Sequence, residues 1–355
     1  MELDRLIRNP GFQLNLLLWM AKEQPEGCEQ VRPLFAELGL RLLSVEKPFP
    51  LPEEMARQIG EMELEISTKP EPELILQRPE DGKALYFEAK ASSFGPDSST
   101  ARQARGHLLA CGPAFAEVLT PLRECLLCYV LPDDQTAQMA ACLSALAGQL
   151  TDAGLEPGKT SLHGFAVQDG SRLAYVWDCA LREFLGLEEE TCVAILLEAE
   201  DGETDPCPLI LVYSDEDYPD PESKDLFRQA FLRRVHTCLL CGLHLNPALN
   251  TPIPLVLEEL LMETTEGVYE YMGRDRRRSL RSLVNERILR RIRDYWEPRA
   301  AGLYQREQGE VVFRFASQDV RDRFLDWLER EEFGGAAVPR HQDTLFDAMG
   351  ADGID

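Results

Sequence analysis

The chain has 355 residues, of which 44% are hydrophobic and 28% charged, and its formal net charge is −25. This length and composition predict a globular protein of two or three domains. The acidity argues against a free-standing nucleic-acid binder, because phosphate contacts require Lys and Arg. No apolar run in the sequence is long enough to span a membrane, and the ten scattered cysteines indicate reduced thiols, so we expect a cytoplasmic protein without membrane contact.

The first 132 residues predict helical structure followed by three strands, a helix and a strand. The expected helices cover residues 12–23, 29–40 and 98–119, and the expected strands cover 62–68, a hairpin over 72–90, and 124–132. The hairpin turn is expected at Asp81-Gly82, since this dipeptide favours two-residue turns between strands.

The pattern changes after residue 134, and further helices and strands follow. The expected helices cover 133–150, 226–243, 276–296 and 318–330, and the expected strands cover a hairpin over 165–177, then 192–200, 208–217 and 310–315. We therefore predict an α/β protein whose first domain is followed by a further α/β region and a basic helical segment. The expected boundaries give domains at 1–134, 135–265 and 266–335, and a flexible tail at 336–355.

The hairpin carries charged residues where a half-buried strand pair is expected to be apolar. With a two-residue turn, Glu73 would face Lys90 and Ile75 would face Glu88, so the three charged side chains would share one face. Two neighbouring carboxylates repel each other, and a divalent cation relieves that repulsion. Mg²⁺ prefers one or two carboxylates together with waters and phosphate oxygens. This pattern favours phosphodiester hydrolysis, in which the lysine would hold the attacking water or offset developing negative charge.

The pair Pro72-Glu73, followed after a strand's length by Glu88-Ala89-Lys90, resembles the signature of the PD-(D/E)xK nucleases, with Glu in place of the commoner Asp. The order of elements over residues 10–132 also resembles the core of that family. Gln103 lies on the next helix, as in RecB-like and lambda-exonuclease-like members. His107 stands where those members usually have Tyr.

The resemblance implies a restriction-endonuclease-like core, a mixed sheet flanked by helices, that hydrolyses DNA with Mg²⁺ or Mn²⁺. Glu73 and Glu88 would bind the metal, Lys90 would assist the attacking water, and Gln103 would position that water or the substrate. Glu61 and Glu63 are candidates for the acidic residue that the family's leading helix often supplies. By analogy with the family, the protein would act in a multi-protein assembly for DNA repair, restriction or antiphage defence.

A second interpretation needs no catalysis. A Glu-x-Lys strand with a cross-strand ion pair is also common in ordinary surface hairpins. The nuclease-like fold would then be a scaffold that contacts protein partners through its acidic surface, its arginine-rich helix and its tail.

The segment 274–299 is strongly basic in this acidic chain, with ten arginines against four acidic residues. Its amphipathic helix is expected to bury Leu280, Val284, Ile288, Ile292 and Tyr295 on one side. Arg276, Arg277 and Arg281 are the candidates for contact with a nucleic-acid backbone. The same helix could instead dock on acidic surface of this chain or of a partner.

The tail contains Gln342, Leu345 and Phe346 in a Q-x-x-L-F pattern that resembles bacterial sliding-clamp-binding peptides. Such a peptide presents one Gln and an apolar pair to a groove of its partner. The expected partners are therefore DNA and proteins, a sliding clamp or an ATPase or helicase among them.

Two cysteines and two histidines, His236, Cys238, Cys241 and His244, lie close together in sequence. Zinc or an iron–sulfur cluster is one interpretation. The other is a set of buried thiols, since the cysteines flank leucines in an apolar element.

Overall fold

The computed structural model describes residues 2–25, 29–113, 124–188, 191–199, 204–218, 220–246, 249–307 and 310–331. The helices are α1 (Leu3–Leu6), α2 (Pro10–Ala21), α3 (Leu34–Glu37), α4 (Glu53–Gly60), α5 (Ser99–Ala110), α6 (Thr136–Asp152), α7 (Cys179–Leu185), α8 (Pro221–Leu245), α9 (Leu257–Thr264), α10 (Arg274–Val284), α11 (Arg290–Trp296) and α12 (Gln318–Arg330). The strands are β1 (Arg41–Val45), β2 (Leu74–Arg78), β3 (Lys83–Ala89), β4 (Glu124–Pro132), β5 (Thr160–Gln168), β6 (Arg172–Trp177), β7 (Val193–Glu198), β8 (Ile253–Leu255), β9 (Tyr304–Glu307) and β10 (Glu310–Phe313). Within these ranges, every helix is too short or too polar to cross a bilayer.

The protein is an α/β protein built on a seven-stranded mixed sheet, in which β1 to β7 lie side by side in chain order. Strands β3, β4 and β5 run parallel, and the other neighbours are antiparallel. Strand β4 hydrogen-bonds to β5 across the boundary predicted at residues 134 and 135. The sheet therefore continues without interruption to the end of β7.

Helices cover both faces of this sheet, which explains why its central strands are continuous apolar runs. Along β3, Leu85 and Phe87 point into the core that α2 and the C-terminal helices share. Ala84 and Tyr86 point into a second core formed with α5 and α6. Glu88 and Lys90 continue the alternation of Ala84 and Tyr86, so the charged end of β3 belongs to the α5 and α6 side.

The expected strand at 62–68 is wrong, and β1 takes its place as the first strand of the sheet. The amide of Ser67 donates to the carbonyl of Arg102 on α5, so this segment is bonded to a helix instead of a strand. Glu61, just before this segment, and Glu63, within it, are exposed and lie outside the leading helix α2. They do not contribute an acidic residue from that helix.

The expected strand at 208–217 is also wrong, although its apolar residues are buried. The side chain of Asn15 on α2 accepts from the amides of Leu211 and Val212 at 2.7 and 2.9 Å and donates to the carbonyl of Val212 at 3.1 Å. These bonds satisfy backbone groups that a strand would pair with a neighbour. A buried asparagine therefore replaces a sheet ladder here.

The basic segment forms one continuous helical run, in which a π-helical turn over Asn285–Leu289 joins α10 to α11. The predicted apolar stripe is confirmed at four positions, Leu280, Val284, Ile288 and Ile292, which are fully buried. Trp296 completes the stripe at the next four-residue step. The predicted Tyr295 is 36% exposed and stacks on Trp327 instead.

Candidate active site

The hairpin turn is two residues longer than the sequence pattern predicts. Arg78 pairs with Lys83, so residues 79–82 form the loop, and Gly82 adopts a φ of 75° that favours glycine. The carboxylate of Asp81 closes this loop by accepting from the guanidinium of Arg78 at 2.5 Å and from the amide of Lys83 at 3.2 Å. The two-residue turn is therefore wrong.

The longer turn changes the strand register. Leu74 pairs with Phe87 and Ile75 with Tyr86, so Glu73 comes opposite Glu88 when the ladder is extended by one residue. Compared with the predicted pairing, the cross-strand partner of each residue is shifted by two positions. A shift of two leaves every side chain on its predicted face of the sheet. The predicted gathering of Glu73, Glu88 and Lys90 on one face is therefore retained, although the pairs differ.

Glu88 and Lys90 form an ion pair at the carboxyl end of β3. The Lys90 ammonium lies 2.5 Å from Glu88 Oε1, and Glu88 is only 1% exposed. The amide of Lys90 donates to the carbonyl of Val130 at 2.8 Å, which fixes this strand end against β4. The Lys90 side chain is 22% exposed, so the pair is accessible to solvent from the lysine side.

Burial and repulsion from Glu88 dominate the electrostatics of Glu73. Burial and then the charge of Glu88 raise the pKa of Glu73 well above its ordinary value, and Lys90 offsets part of this effect. Burial lowers the pKa of Lys90, but attraction to Glu88 and Glu73 outweighs burial, so that pKa is raised overall. Lys90 is therefore an ammonium at neutral pH and can donate hydrogen bonds but cannot accept a proton.

Several buried oxygens at this strand end have no hydrogen-bond partner in the described structure: Glu73 Oε2, Glu88 Oε2 and Gln13 Oε1. Gln13 is fixed on α2 by donating to the carbonyls of Ile7 and Lys90 at 2.6 and 3.1 Å. Buried acceptors without donors are unfavourable, and a bound cation would satisfy them. The described residues nevertheless contain no group of three or more His, Cys, Asp or Glu arranged as metal ligands.

The helix α5 brings a histidine to the same carboxylate. His107 is fully buried, with Nδ1 3.6 Å from Glu88 Oε2 and its ring 5.3 Å from that of Tyr86. Burial lowers the pKa of His107, so the imidazole is neutral at neutral pH. Gln103 lies one turn earlier on α5 and is half-buried. The α5 residue beside Glu88 is thus His107, whereas the resemblance to the nuclease family implied a role for Gln103 on this helix.

Residues far from the predicted core also converge on the site. Arg276 is buried and pairs with Glu46 and with Asp217, the latter at 3.0 Å. Glu46 adopts a left-handed φ of 46°, and its amide donates to the carbonyl of Glu73 at 3.1 Å. A Cβ at Gly273 would overlap the carbonyl oxygen of Glu46, so only glycine permits this approach. The buried Arg276 and its two half-buried carboxylate partners, Glu46 and Asp217, form a group named the buried triad.

The buried triad overturns the predicted role of Arg276, because a guanidinium held between two carboxylates has no surface to offer a nucleic acid. Arg281 is half-buried, pairs with Glu258 and donates to the hydroxyl of Tyr269 at 2.6 Å. Arg277 is also half-buried and lies 6.0 Å above the Tyr269 ring. All three arginines are therefore engaged within the chain.

The histidines of the proposed metal cluster on α8 face α12 instead of each other. His236 Nε2 lies 2.7 Å from the carbonyl of Leu328, and His244 Nε2 lies 3.2 Å from Glu329. These contacts favour the interpretation of this segment as part of a helix interface. The tail residues Gln342, Leu345 and Phe346 lie outside the described residues.

Comparisons of the chain with models of known protein families, with curated proteins and with solved structures gave no significant match. The case for a function therefore depends on the geometry of Glu73, Glu88 and Lys90.

The raised pKa of Glu73 predicts a pH-dependent stability when no divalent cation is present. Because the folded state holds this proton to higher pH than the unfolded chain does, stability falls as pH rises above the ordinary carboxyl pKa of 4.5. Glu73→Gln is expected to flatten the fall of Tm between pH 5 and pH 8 and to be more stable than wild type at pH 8. Thermal unfolding in EDTA measures this, with exposed Glu53→Gln as the charge-matched control. Equal pH slopes for wild type and Glu73→Gln would contradict it.

Proposed function

We propose that this protein is a Mg²⁺- or Mn²⁺-dependent nuclease that hydrolyses phosphodiester bonds in DNA. The observation that carries the proposal is the pair Glu73 and Glu88, each of which has one buried oxygen, Oε2, without a hydrogen-bond partner, while the ammonium of Lys90 contacts Glu88 Oε1. Apart from the short helices α3 and α4, which precede and follow β1, support also comes from the order of elements around them: α2, the antiparallel strands β1 to β3, α5, and then β4 parallel to β3. This order is the one expected for a restriction-endonuclease-like core.

The donor set suits a hard divalent cation. Glu73 and Glu88 would hold it with one oxygen each, and waters and substrate phosphate would supply the remaining ligands, as Mg²⁺ prefers. When bound, the cation would supply Lewis-acid polarisation of the phosphate and a more acidic water. The carboxylates, neutralised by the cation, would then depend less on Lys90 as a counter-ion.

Lys90 then has the chemistry for a role in the reaction. Its ammonium has three donors, and Glu88 Oε1 occupies one of them at 2.5 Å. The remaining donors can hold an attacking water or bind a phosphate oxygen as negative charge develops there. We propose that Gln103, which lies on the neighbouring helix, orients that water or the substrate.

The second candidate is a non-catalytic scaffold with the same fold. The direct ion pair of Lys90 with Glu88 favours this candidate, because a lysine that neutralises a buried carboxylate can have a purely structural role. The net charge of −25 favours it as well, since an acidic surface suits basic protein partners. Roles in repair, restriction or antiphage defence, and docking on a sliding clamp, an ATPase or a helicase, belong to either candidate.

A cleavage assay separates the two candidates. End-labelled single-stranded and double-stranded DNA and RNA are incubated with the protein in Mg²⁺, in Mn²⁺ and in EDTA. We expect DNA products with either cation and none in EDTA. Intact substrates under every condition would favour the scaffold, and cleavage that persists in EDTA would contradict a cation-dependent site.

A further inference from the structure

Helix α10 exposes two arginines that the contacts described above do not engage. Arg274 and Arg278 lie one turn apart and are both exposed. Neither guanidinium has an ion-pair or hydrogen-bond partner among the described residues, whereas Arg281 and Arg293 pair with acidic side chains. In a chain with 62 acidic residues and 37 basic ones, two adjacent unpaired arginines form a distinct cationic face.

The start of helix α10, which carries this cationic face, is held close to the candidate active site. The amide of Gly273, the residue before the helix, donates to the carbonyl of Val45 at 2.8 Å, and Met272 bridges to the same residue. Glu46, the residue that follows β1, donates its amide to the carbonyl of Glu73. Backbone hydrogen bonds of the consecutive residues Val45 and Glu46 therefore link Glu73, the metal-binding candidate, to Gly273 at the start of α10.

The buried triad fixes the helix in this position. Arg276, in the first turn of α10, bonds to Glu46 on one side and to Asp217 on the other. Asp217 in turn lies against Gly11 at the start of α2, where a Cβ would overlap it. The helix is thus anchored through its buried face, and its opposite face is left for a ligand.

We infer that Arg274 and Arg278 bind the phosphodiester backbone of the DNA strand whose scissile phosphate lies at Glu73, Glu88 and Lys90. This inference rests on the proposed function and extends it to a substrate-binding surface from outside residues 10–132. Guanidinium groups suit this role because they are always charged and bind phosphate with two parallel hydrogen bonds. Contacts of this kind give affinity without base specificity.

The inference is tested by measuring DNA affinity under conditions in which the DNA is not cleaved. Fluorescence anisotropy of a labelled 20-nucleotide single strand is measured in EDTA for wild type and for Arg274→Ala/Arg278→Ala over a range of salt concentrations. We expect about tenfold weaker binding of the variant and a salt slope that is smaller in magnitude by about 1.4, since each lost phosphate contact removes about 0.7 for single strands.

The matched control removes the same charge elsewhere. Arg323→Ala/Arg330→Ala alters two exposed arginines of α12, whose following residue Glu331 pairs with Arg291. Arg291 lies about 25 Å further along the basic helix than Arg274, at 1.5 Å per residue. We expect the control to bind within about twofold of wild type.

The outcomes separate this inference from the proposed function. Equal losses in both double variants, an unchanged salt slope, or no binding by wild type would overturn the role of Arg274 and Arg278. A loss confined to Arg274→Ala/Arg278→Ala would support it. If wild type bound DNA in that way but failed to cleave with Mg²⁺ or Mn²⁺, the nucleic-acid surface would stand and the nuclease would be refuted.

Discussion

Glu88→Gln is expected to lower the rate of DNA hydrolysis by about 10²–10³-fold, the usual loss when one preorganised electrostatic group leaves an active site. The substitution keeps the size of the side chain but removes its charge and thus its affinity for a cation. It also removes the counter-ion that Lys90 contacts at 2.5 Å. Single-turnover cleavage with Mg²⁺ measures the rate.

The same variant should lose the stabilisation that a cation gives the folded state. A ligand at 100 times its Kd adds about 2.7 kcal/mol to the free energy of unfolding. We expect Mg²⁺ to raise the Tm of wild type and of exposed Glu53→Gln, but not that of Glu88→Gln. A wild-type rate, or a cation-induced rise of Tm, in Glu88→Gln would show that this carboxylate does not hold the metal.

Arg276→Met is expected to destabilise the protein by about 3–5 kcal/mol, because it leaves two largely desolvated, half-buried carboxylates without their shared partner. Glu46 and Asp217 both bond to this guanidinium, and their side chains are only 17% and 18% exposed. Removing one member of a buried ionic group costs more than removing the whole group. The urea concentration at the unfolding midpoint measures the loss.

A triple variant separates charge imbalance from lost packing. Glu46→Gln/Arg276→Met/Asp217→Asn has no charge in the triad, so most of the stability should return. Equal losses in the single and the triple variant would show that Arg276 stabilises through its contacts alone. The triad would then be a packing feature instead of an electrostatic one.

Elements with a strong and local pattern could be predicted from the sequence. The strand at 124–132 and the helix at 318–330 have the expected bounds, because each has a clear apolar pattern and definite ends. The strand at 62–68 was wrong because alternating glutamates imitate a two-residue period in a segment that bonds to a helix. The strand at 208–217 was wrong because Asn15, about two hundred residues away in sequence, satisfies its backbone.

The candidate site also contains residues that the sequence could predict and residues that it could not. Glu73, Glu88 and Lys90 could be found because their spacing along a hairpin is a local property. Their register could not, because the ion pair of Arg78 with Asp81 lengthens the turn. The long-range members of the site were missed.

Two of those members had a visible signal. Gln13, like Asn15, is polar in a helix whose other residues are apolar, which indicates a buried polar contact but not its partner. Arg276 belongs to the basic segment, but only the fold shows that it turns inward to Glu46. The left-handed conformation of Glu46 has no sequence signal of its own, because glutamate rarely adopts it.

The most direct test of a hydrolytic site on β3 compares two lysines of that strand. Lys90 lies beside Glu88, whereas Lys83 lies at the opposite end and donates to the carbonyl of Phe184 at 2.5 Å. Their side chains are similarly accessible, 22% and 26% exposed. Single-turnover rates on the same end-labelled DNA in Mg²⁺ are measured for wild type, Lys90→Ala and Lys83→Ala. We predict a loss of about 10²-fold or more for Lys90→Ala and a nearly wild-type rate for Lys83→Ala; similar rates for the two variants would contradict hydrolysis at this site.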